Sequence, residues 1–270
     1  MENYAIRGDL LSRAVDLKVI PTLSTIIDKV FAVLGDRNSS FSDLSDIIKY
    51  DQAISSKVIS IANSAYYSRG IEIYSLQRAM INIGYEEVKG IITCLLFMES
   101  ILKQLKLKEG DLLSLWKHSM YVACASKILS EKTLIEDPAK VYTIALLHDI
   151  GKIVFYMSTD NYSEIVKGAG TQGKSIIQME KERFGIDHQE TGYAISLKWK
   201  LPLEFSHVIQ YHHENTNEAR YESLLKLIRA ADEFSVSPDS VSGTEGYILT
   251  KEKDTIAKEL KNIMDTLRLA

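Results

Sequence analysis

Apolar residues recur every three or four positions along most of this chain, which is the spacing that places side chains on one face of an α-helix. The clearest stripe starts near Thr22 and stops at Gly35, a residue type that often ends helices. Its apolar positions are Leu23, Ile26, Ile27, Val30, Phe31 and Leu34. Because the same spacing continues through the chain, which has only four prolines, the pattern predicts an all-α fold.

Capping residues and glycines divide the rest of the first half into short helices. Asp51 and Ser75 each precede an apolar stripe and are predicted to cap a helix, and Gly84 is predicted to end the second of these two helices. Another helix is expected to begin near Ser42 or Asp43, and a fifth to cover the apolar segment at about 86–105. The first half is therefore predicted to be a helical subdomain.

A polar stretch with a glycine, Lys106 to Asp111, is the best candidate for an internal boundary. It predicts a helical N-terminal part at 1–107 and a second helical part at 108–235. The remaining residues, 236–270, read as a Ser/Gly loop and an amphipathic helix that we expect to pack back on the domain. The helices of the second part are predicted from about Asp111, from Pro138 to Met157, from Ser175 to Phe184, from His188, from Leu203 to Glu214 and from Tyr221 to Phe234.

Composition excludes several classes of function. The formal net charge is −4, with lysine and arginine spread along the chain, so the basic surface that nucleic-acid binding requires is not expected. The longest apolar run, residues 91–98, is too short to span a membrane, and the N-terminus lacks the pattern of a signal peptide. The two cysteines, Cys94 and Cys124, are too few for a disulfide framework. A cytoplasmic protein that binds neither nucleic acid nor membrane is therefore expected.

The segment from Val141 to Met157 combines an apolar helix pattern with two polar residues. It is apolar on nearly all sides, as a helix in the middle of a domain would be, yet it contains His148 and Asp149. Burying a polar side chain without partners costs roughly 2–7 kcal/mol, so this pair requires compensation. A divalent metal ion, other ligands or a tight network of hydrogen bonds would each supply it.

The histidines are unevenly distributed. All six lie beyond residue 117, and five of them, together with Asp149 and Asp232, fall on helices that can converge. Imidazole nitrogen and carboxylate oxygen suit iron, manganese, zinc and similar first-row divalent ions. A lone histidine is more often an ordinary packed or surface residue than a ligand, and we assign His207 to that class.

Longer motifs resemble a known family. LLHDIGK, at 146–152, resembles the metal motif of HD domains. The stretch from IPTLSTIIDKV through NSAYYSRGIEIYSLQRAMINIGYEEVKGII closely resembles the HDOD family, and the similarity continues through ERFGIDHQETGYAISLKWKLP. It covers roughly residues 18–235. The resemblance implies an HD-domain-like helical array and, by family, a regulatory module without established catalysis.

The family is similar in fold to HD phosphohydrolases and HD-GYP cyclic-dinucleotide phosphodiesterases, and the resemblance implies a set of metal ligands. The matching positions are His118, His148, Asp149, His188, His212, His213 and Asp232. Lys152 matches a lysine that lies near the bridging or phosphate oxygen in HD-GYP enzymes. Ser114 stands where some multi-metal versions have a carboxylate, so a third metal is not expected.

Two functions follow from this pattern. We favour a signal-transduction module that is not catalytic, keeps an HD-type metal site and binds a signalling protein or a small phosphorylated ligand. The alternative is a metal-dependent phosphohydrolase or nucleotide phosphodiesterase, and only then would Asp149 and Lys152 act in catalysis. ENTNEARYES follows His213 without a GYP signature, and clear arginine or aromatic substrate-holding residues are missing, which weakens the alternative.

Overall fold

The computed structural model describes residues 2–16, 26, 29–30, 32–33, 36, 39–64, 67–68, 70–85, 88, 92, 109–169, 173–199, 201–214 and 221–267. All regular secondary structure in these ranges is helical, with no strand, which confirms the predicted all-α fold. In chain order the helices are α1 (Glu2–Asp16), α2 (Phe41–Ile48), α3 (Gln52–Ala62), α4 (Leu76–Ile83), α5 (Glu109–Thr133), α6 (Pro138–Leu147), α7 (Lys152–Ser158), α8 (Tyr162–Gly168), α9 (Ile176–Phe184), α10 (His188–Lys198), α11 (Leu203–Tyr211), α12 (Glu222–Val236) and α13 (Gly243–Leu267).

Side-chain caps fix the starts of the N-terminal helices. Asp51 accepts a hydrogen bond from the backbone of Ile54, and Ser75 caps α4 in the same way, as the sequence predicts. Helix α2 begins slightly earlier than predicted, because Ser40 and Asp43 form a capping box. Most of the predicted helices at 22–35 and 86–105, and Cys94, lie outside the described residues.

Helix α1 was not predicted from the sequence. Its buried side is a narrow stripe of residues four apart, with Leu10 and Ala14 fully enclosed and Ile6 partly enclosed, so the apolar signal is weak. The helix packs against α10, α7 and α9. Part of the predicted boundary stretch at 106–111 lies outside the described residues, and the division of the chain into parts stays a prediction.

Helix α5 is the centre of the C-terminal half. It packs against α6, α12 and α13, and buries Trp116 and Met120. Helix α13 returns along it and buries Leu249 and Ile256, so the terminal helix packs on the domain as expected. None of the helices in the described ranges is long and apolar enough to cross a membrane.

The predicted single helix from Pro138 to Met157 is wrong, because the chain turns at 148–151. Helix α6 ends at Leu147 and α7 begins at Lys152. In the turn, the backbone N–H groups bond three residues back, as in the 3.0 Å bond from Lys152 to the carbonyl oxygen of Asp149. Residues on both sides of the turn are buried, so the apolar pattern did not reveal it.

Two contacts explain why the turn lies there. A Cβ atom built on Gly151 would lie 1.9 Å from the carbonyl oxygen of His188 and 2.6 Å from the backbone nitrogen of Gly192, so only glycine lets α10 approach this closely. On the other side, the buried side chain of Gln52 donates to the carbonyl oxygen of Leu146 over 2.5 Å. The turn that carries His148 and Asp149 is thus held between α3 and α10.

Helix α11 also ends earlier than predicted. The sequence predicts a helix through Glu214, but α11 ends at Tyr211 and His212 occupies its C-cap position. The backbone N–H of His213 donates to the Gln189 side chain over 2.8 Å rather than continuing the helix. The paired histidines therefore lie at a helix end, where they can face the turn at 148–151.

The Gly151 contact gives a stability prediction. Replacing Gly151 by alanine should lower the free energy of unfolding by about 3 kcal/mol, because backbone atoms of α10 must move to admit the methyl group. Urea unfolding measures this. Gly8 on α1 is the matched control, since a Cβ there meets nothing within 4 Å and alanine should leave stability unchanged or raise it by up to ~1 kcal/mol. Equal effects at the two glycines would contradict the argument.

Candidate metal centre

The seven residues predicted as metal ligands are brought together from separate elements. His118 comes from the middle of α5, His148 and Asp149 from the turn at 148–151, and Asp232 from α12. His188 is the first residue of α10, while His212 and His213 follow α11. They form two groups, within each of which one ligand atom per residue lies within 4.8 Å of the others. The groups are Asp149 with His188, His212 and His213, and His118 with His148 and Asp232.

Asp149 lies between the two groups and turns one oxygen to each. Its Oδ1 atom lies 3.3 Å from Nε2 of His188 and 3.4 Å from Nε2 of His212. Its Oδ2 atom lies 3.2 Å from Nε2 of His118 and 3.4 Å from Nε2 of His148. One fully buried carboxylate therefore faces four imidazole nitrogens.

Asp232 supplements this arrangement from the other side. Its Oδ1 atom lies 3.1 Å from Nε2 of His118 and 3.7 Å from Nε2 of His148. Its Oδ2 atom lies 3.7 Å from Nδ1 of His213. The two aspartates thus enclose the histidine nitrogens between them.

Hydrogen bonds made by the outer ring nitrogens set which nitrogen faces inward. The Nδ1 atoms of His148 and His212 lie 2.7 and 3.0 Å from the carbonyl oxygens of Ala145 and Ile209, and a carbonyl only accepts, so both Nδ1 atoms carry the proton. His188 Nδ1 bonds a carboxylate oxygen of Glu180 over 2.8 Å in the same way. In the neutral form of each ring, the Nε2 atom therefore presents its lone pair to Asp149.

His118 follows the same pattern through a hydroxyl. Its Nδ1 atom lies 3.2 Å from Ser235 Oγ, and that hydroxyl donates its own proton to the carbonyl oxygen of Asp232. The Ser235 oxygen can then only accept from the ring, so His118 Nδ1 carries a proton. The Nε2 atom again faces the two aspartates.

Several of these inward atoms are orphaned. Nε2 of His118, Nε2 of His148 and Oδ1 of Asp149 are buried and have no hydrogen-bond partner within the described part of the chain. Lone pairs of nitrogen and oxygen that converge without a proton repel one another, and a cation between them removes the cost. Metal–ligand distances of 2.0–2.2 Å imply ligand–ligand edges of about 3.0–3.5 Å. Since most of the separations here fall in that range, the residues fit a metal centre.

The ionisation states suit metal ligands. Burial disfavours the charged carboxylates, but Lys152 outweighs it and holds the pKa of Asp149 well below its usual range, and His118 does the same for Asp232. Burial and the nearby Lys152 keep the pKa of His188 well below its ordinary value. Burial also opposes the charged form of His118, but the facing carboxylates of Asp149 and Asp232 raise its pKa to about 9. His118 is thus the candidate ligand that would have to lose its second proton for a metal to bind.

Lys152 and the partly open edge complete the geometry. The Lys152 ammonium lies 2.5 Å from Oδ2 of Asp149, and this carboxylate raises its pKa although burial opposes the charge. The side chains of His118 and His213 are 23% and 25% exposed, whereas those of His148 and His188 are fully enclosed. The side of His118 and His213 is therefore the most exposed edge of the candidate site.

Glu180 is a site residue that sequence reasoning missed. Its Oε2 atom accepts hydrogen bonds from both the backbone N–H and Nδ1 of His188, and Oε1 accepts from the Tyr162 hydroxyl. Burial raises the pKa of Glu180 to about 7. In the sequence it stands in the run MEKERF beside Glu182, an exposed residue, and nothing local distinguishes the two. His207, in contrast, belongs to neither donor group and packs between the rings of Tyr211 and Tyr221.

Comparison with known proteins gives a family and a fold. Residues 20–215 match the family model of the HDOD domain. An uncharacterized protein of Treponema pallidum (strain Nichols) is 23% identical over 202 residues, which are 72% of this chain but 37% of the relative. The chain thus spans little more than a third of that relative's length.

Solved structures share this fold at low identity. The MmoQ response regulator from Methylococcus capsulatus is 19% identical with a TM-score of 0.68, and the match covers 86% of this chain and 93% of that one. A virulence factor from Campylobacter jejuni is 17% identical with a TM-score of 0.64 and 92% of both chains covered. An HDOD domain protein of unknown function from Geobacter sulfurreducens is 21% identical, with a TM-score of 0.52 and 96% of both chains covered.

The Glu180 contact predicts an effect on metal affinity. Replacing Glu180 by glutamine removes the charge that orients His188 and increases its basicity, so the dissociation constant for a divalent ion should rise roughly tenfold or more. Competition with a chromogenic chelator measures it. Glu182→Gln on the same helix is the control, because Glu182 is exposed and pairs with Lys174. Indistinguishable affinities for the two variants would show that Glu180 does not support the site.

Proposed function

This chain belongs to the HDOD family, and from that premise we propose that it is a signalling module whose regulatory state depends on a two-metal centre of HD type. One observation carries the proposal: Asp149 offers one oxygen to each of two donor groups. The donors are five imidazoles and two carboxylates, a set that suits Fe, Mn or Zn. His118, His148 and Asp232 would hold one ion, His188, His212 and His213 the other, and Asp149 both.

The position of the donors explains how a metal centre serves regulation. The seven residues connect α5, the turn at 148–151, α10, the end of α11 and α12, which are far apart in sequence. Ions that bind only this arrangement stabilise it in proportion to their concentration and affinity. Metal occupancy would then set how firmly these helices are held, and so the surface presented to a signalling protein or a small phosphorylated ligand. A neighbour in fold is called a response regulator, which agrees with this role.

Metal stoichiometry tests the proposal. Protein purified without chelator should contain two first-row ions per chain by elemental analysis. Asp149→Ala should lose both ions, because the shared carboxylate serves both groups, whereas His118→Ala and His188→Ala should each retain about one. His207→Ala is the matched control and should keep two, since this buried histidine lies in neither group.

Other stoichiometries are also informative. Wild-type protein that contains no ion, and that binds none when manganese, iron or zinc is added, would overturn the proposal. One ion per chain in the wild type would contradict a shared Asp149.

A second candidate function is hydrolysis of phosphate esters, which Lys152 and the open edge favour. The Lys152 cation adjoins Asp149 and is only 11% exposed, so it is placed to attract a phosphoryl oxygen that enters beside His118 and His213. Divalent ions held there would supply Lewis-acid charge for a phosphate ester and the attacking water. Asp149, which stays ionised, and the neutral His188 would keep the donor groups in place.

Turnover assays separate the two candidates. Metal-loaded protein is incubated with phosphate monoesters, diesters and cyclic nucleotides, and released phosphate or nucleotide is measured. If the chain is an enzyme, Lys152→Met should lower turnover by roughly 100-fold while metal content stays at two ions per chain, because the substitution removes one cation that attracts the phosphoryl oxygen. If metal-loaded wild-type protein releases no product from any of these substrates, the hydrolase candidate is overturned and the signalling role remains.

A further inference from the structure

A cavity of about 770 Å³ lies between α1, the connection from α7 to α8, and α9. None of the seven metal-ligand candidates lines it. Its volume falls in the range of small-molecule sites. It is therefore separate from the candidate metal centre and requires its own explanation.

The inner wall of the cavity is apolar. Leu10 and Phe184 are almost fully buried, and Ile6 and Ile165 pack partly against the same core. An occupant with an apolar part would fit this wall.

The rim of the cavity carries four charged residues of both signs, and two of them are already paired. Asp9 pairs with Arg13 over 2.7 Å, and Glu182 pairs with Lys174 over 2.6 Å. The remaining charged residues on the rim are Asp160 and Arg183. Neither has an ion-pair or hydrogen-bond partner among the residues that the structure describes, and they do not pair with each other.

We infer that this cavity binds a small zwitterion with an apolar side chain, that is, an apolar α-amino acid. Its carboxylate would meet the Arg183 guanidinium and its ammonium group the Asp160 carboxylate. Its side chain would lie against Leu10 and Phe184. A plain anion or cation would engage only one of the two rim charges and face the like charge of the other.

The cavity is connected to the metal centre by packed side chains. The Phe184 ring lies 5.1 Å from the Phe155 ring and 6.4 Å from the Tyr162 ring, measured between centroids. The Tyr162 hydroxyl donates to Glu180, and Glu180 holds His188. A ligand that orders Phe184 would thus favour the orientation of His188 in which Nε2 faces Asp149. This coupling, unlike the binding itself, rests on the proposed metal function.

A second contact joins the cavity wall to α10. Arg7 on α1 donates to the carbonyl oxygen of Gly185 over 3.0 Å and pairs with Glu190 over 2.7 Å. Glu190 belongs to the capping box at the start of α10, directly beside His188. A ligand in the cavity would therefore also affect the position of α1 and, through Arg7, the start of α10, which carries His188.

Calorimetric titration of the full chain after chelator treatment tests the binding itself. L-leucine should bind, while 3-methylbutylamine, which lacks the carboxylate, and 4-methylpentanoate, which lacks the ammonium group, should each bind at least roughly tenfold more weakly. Arg183→Ala and Asp160→Asn should weaken L-leucine binding by a similar factor. Arg78→Ala and Asp239→Asn, exposed residues away from the cavity, are the matched controls.

Each result decides the inference. The inference would be overturned if L-leucine and L-phenylalanine gave no heat of binding at millimolar concentration and a 10-fold molar excess over protein. It would also be overturned if either analogue bound as tightly as L-leucine, or if Arg183→Ala and Asp160→Asn left the binding unchanged. Repeating the titration on metal-loaded protein tests the coupling. The affinity for L-leucine should then be about fivefold or more higher than in the chelator-treated protein. Binding with unchanged affinity would overturn the coupling and keep the site. If the chain binds no metal, the first titration still decides whether the cavity takes an amino acid.

Discussion

The structure depends on one buried carboxylate. Asp149 is fully enclosed, stays ionised and faces imidazole nitrogens from four different parts of the chain. A charge in such a place is tolerated only when partners compensate its lost hydration. Lys152 is one such partner, and its ammonium group contacts only Oδ2 of Asp149. The inward lone pairs of the neutral histidines add to the negative potential rather than cancel it, which is why we propose a divalent ion on each side of Asp149.

The rest of the fold holds these groups at the required distance. The chain turns sharply at 148–151, and Gly151 lets α10 come close enough for His188 to reach Asp149. Carbonyl oxygens, Ser235 and Glu180 each hold the outer nitrogen of a ring, so that the inner nitrogen is the one that faces Asp149. The candidate ligands are thus oriented by backbone and buried side chains, and such preorganisation favours tight and selective binding of a metal ion.

Sequence reasoning identified the ligand candidates but not the residues that orient them. His148 and Asp149 are conspicuous because two polar residues interrupt an apolar segment, and the resemblance to HD motifs extends that signal to the other five. Glu180 gives no such signal, since it stands in a charged helix and is buried only through tertiary packing. The break between α6 and α7 was missed for a related reason: apolar periodicity reports burial, and residues on both sides of the turn are buried. Helix caps such as Asp51 and Ser75 were predictable because their hydrogen bonds are local.

Anomalous diffraction from crystals grown without chelator tests the shared carboxylate most directly. Data collected at the absorption edges of manganese, iron and zinc should show two peaks in each molecule, one beside Oδ1 of Asp149 with His188 and His212, the other beside Oδ2 with His118 and His148. An electron-density map without such peaks, in which Asp149 contacts only Lys152 and protonated histidines, would contradict the account. Two peaks that both lie away from Asp149 would contradict it equally.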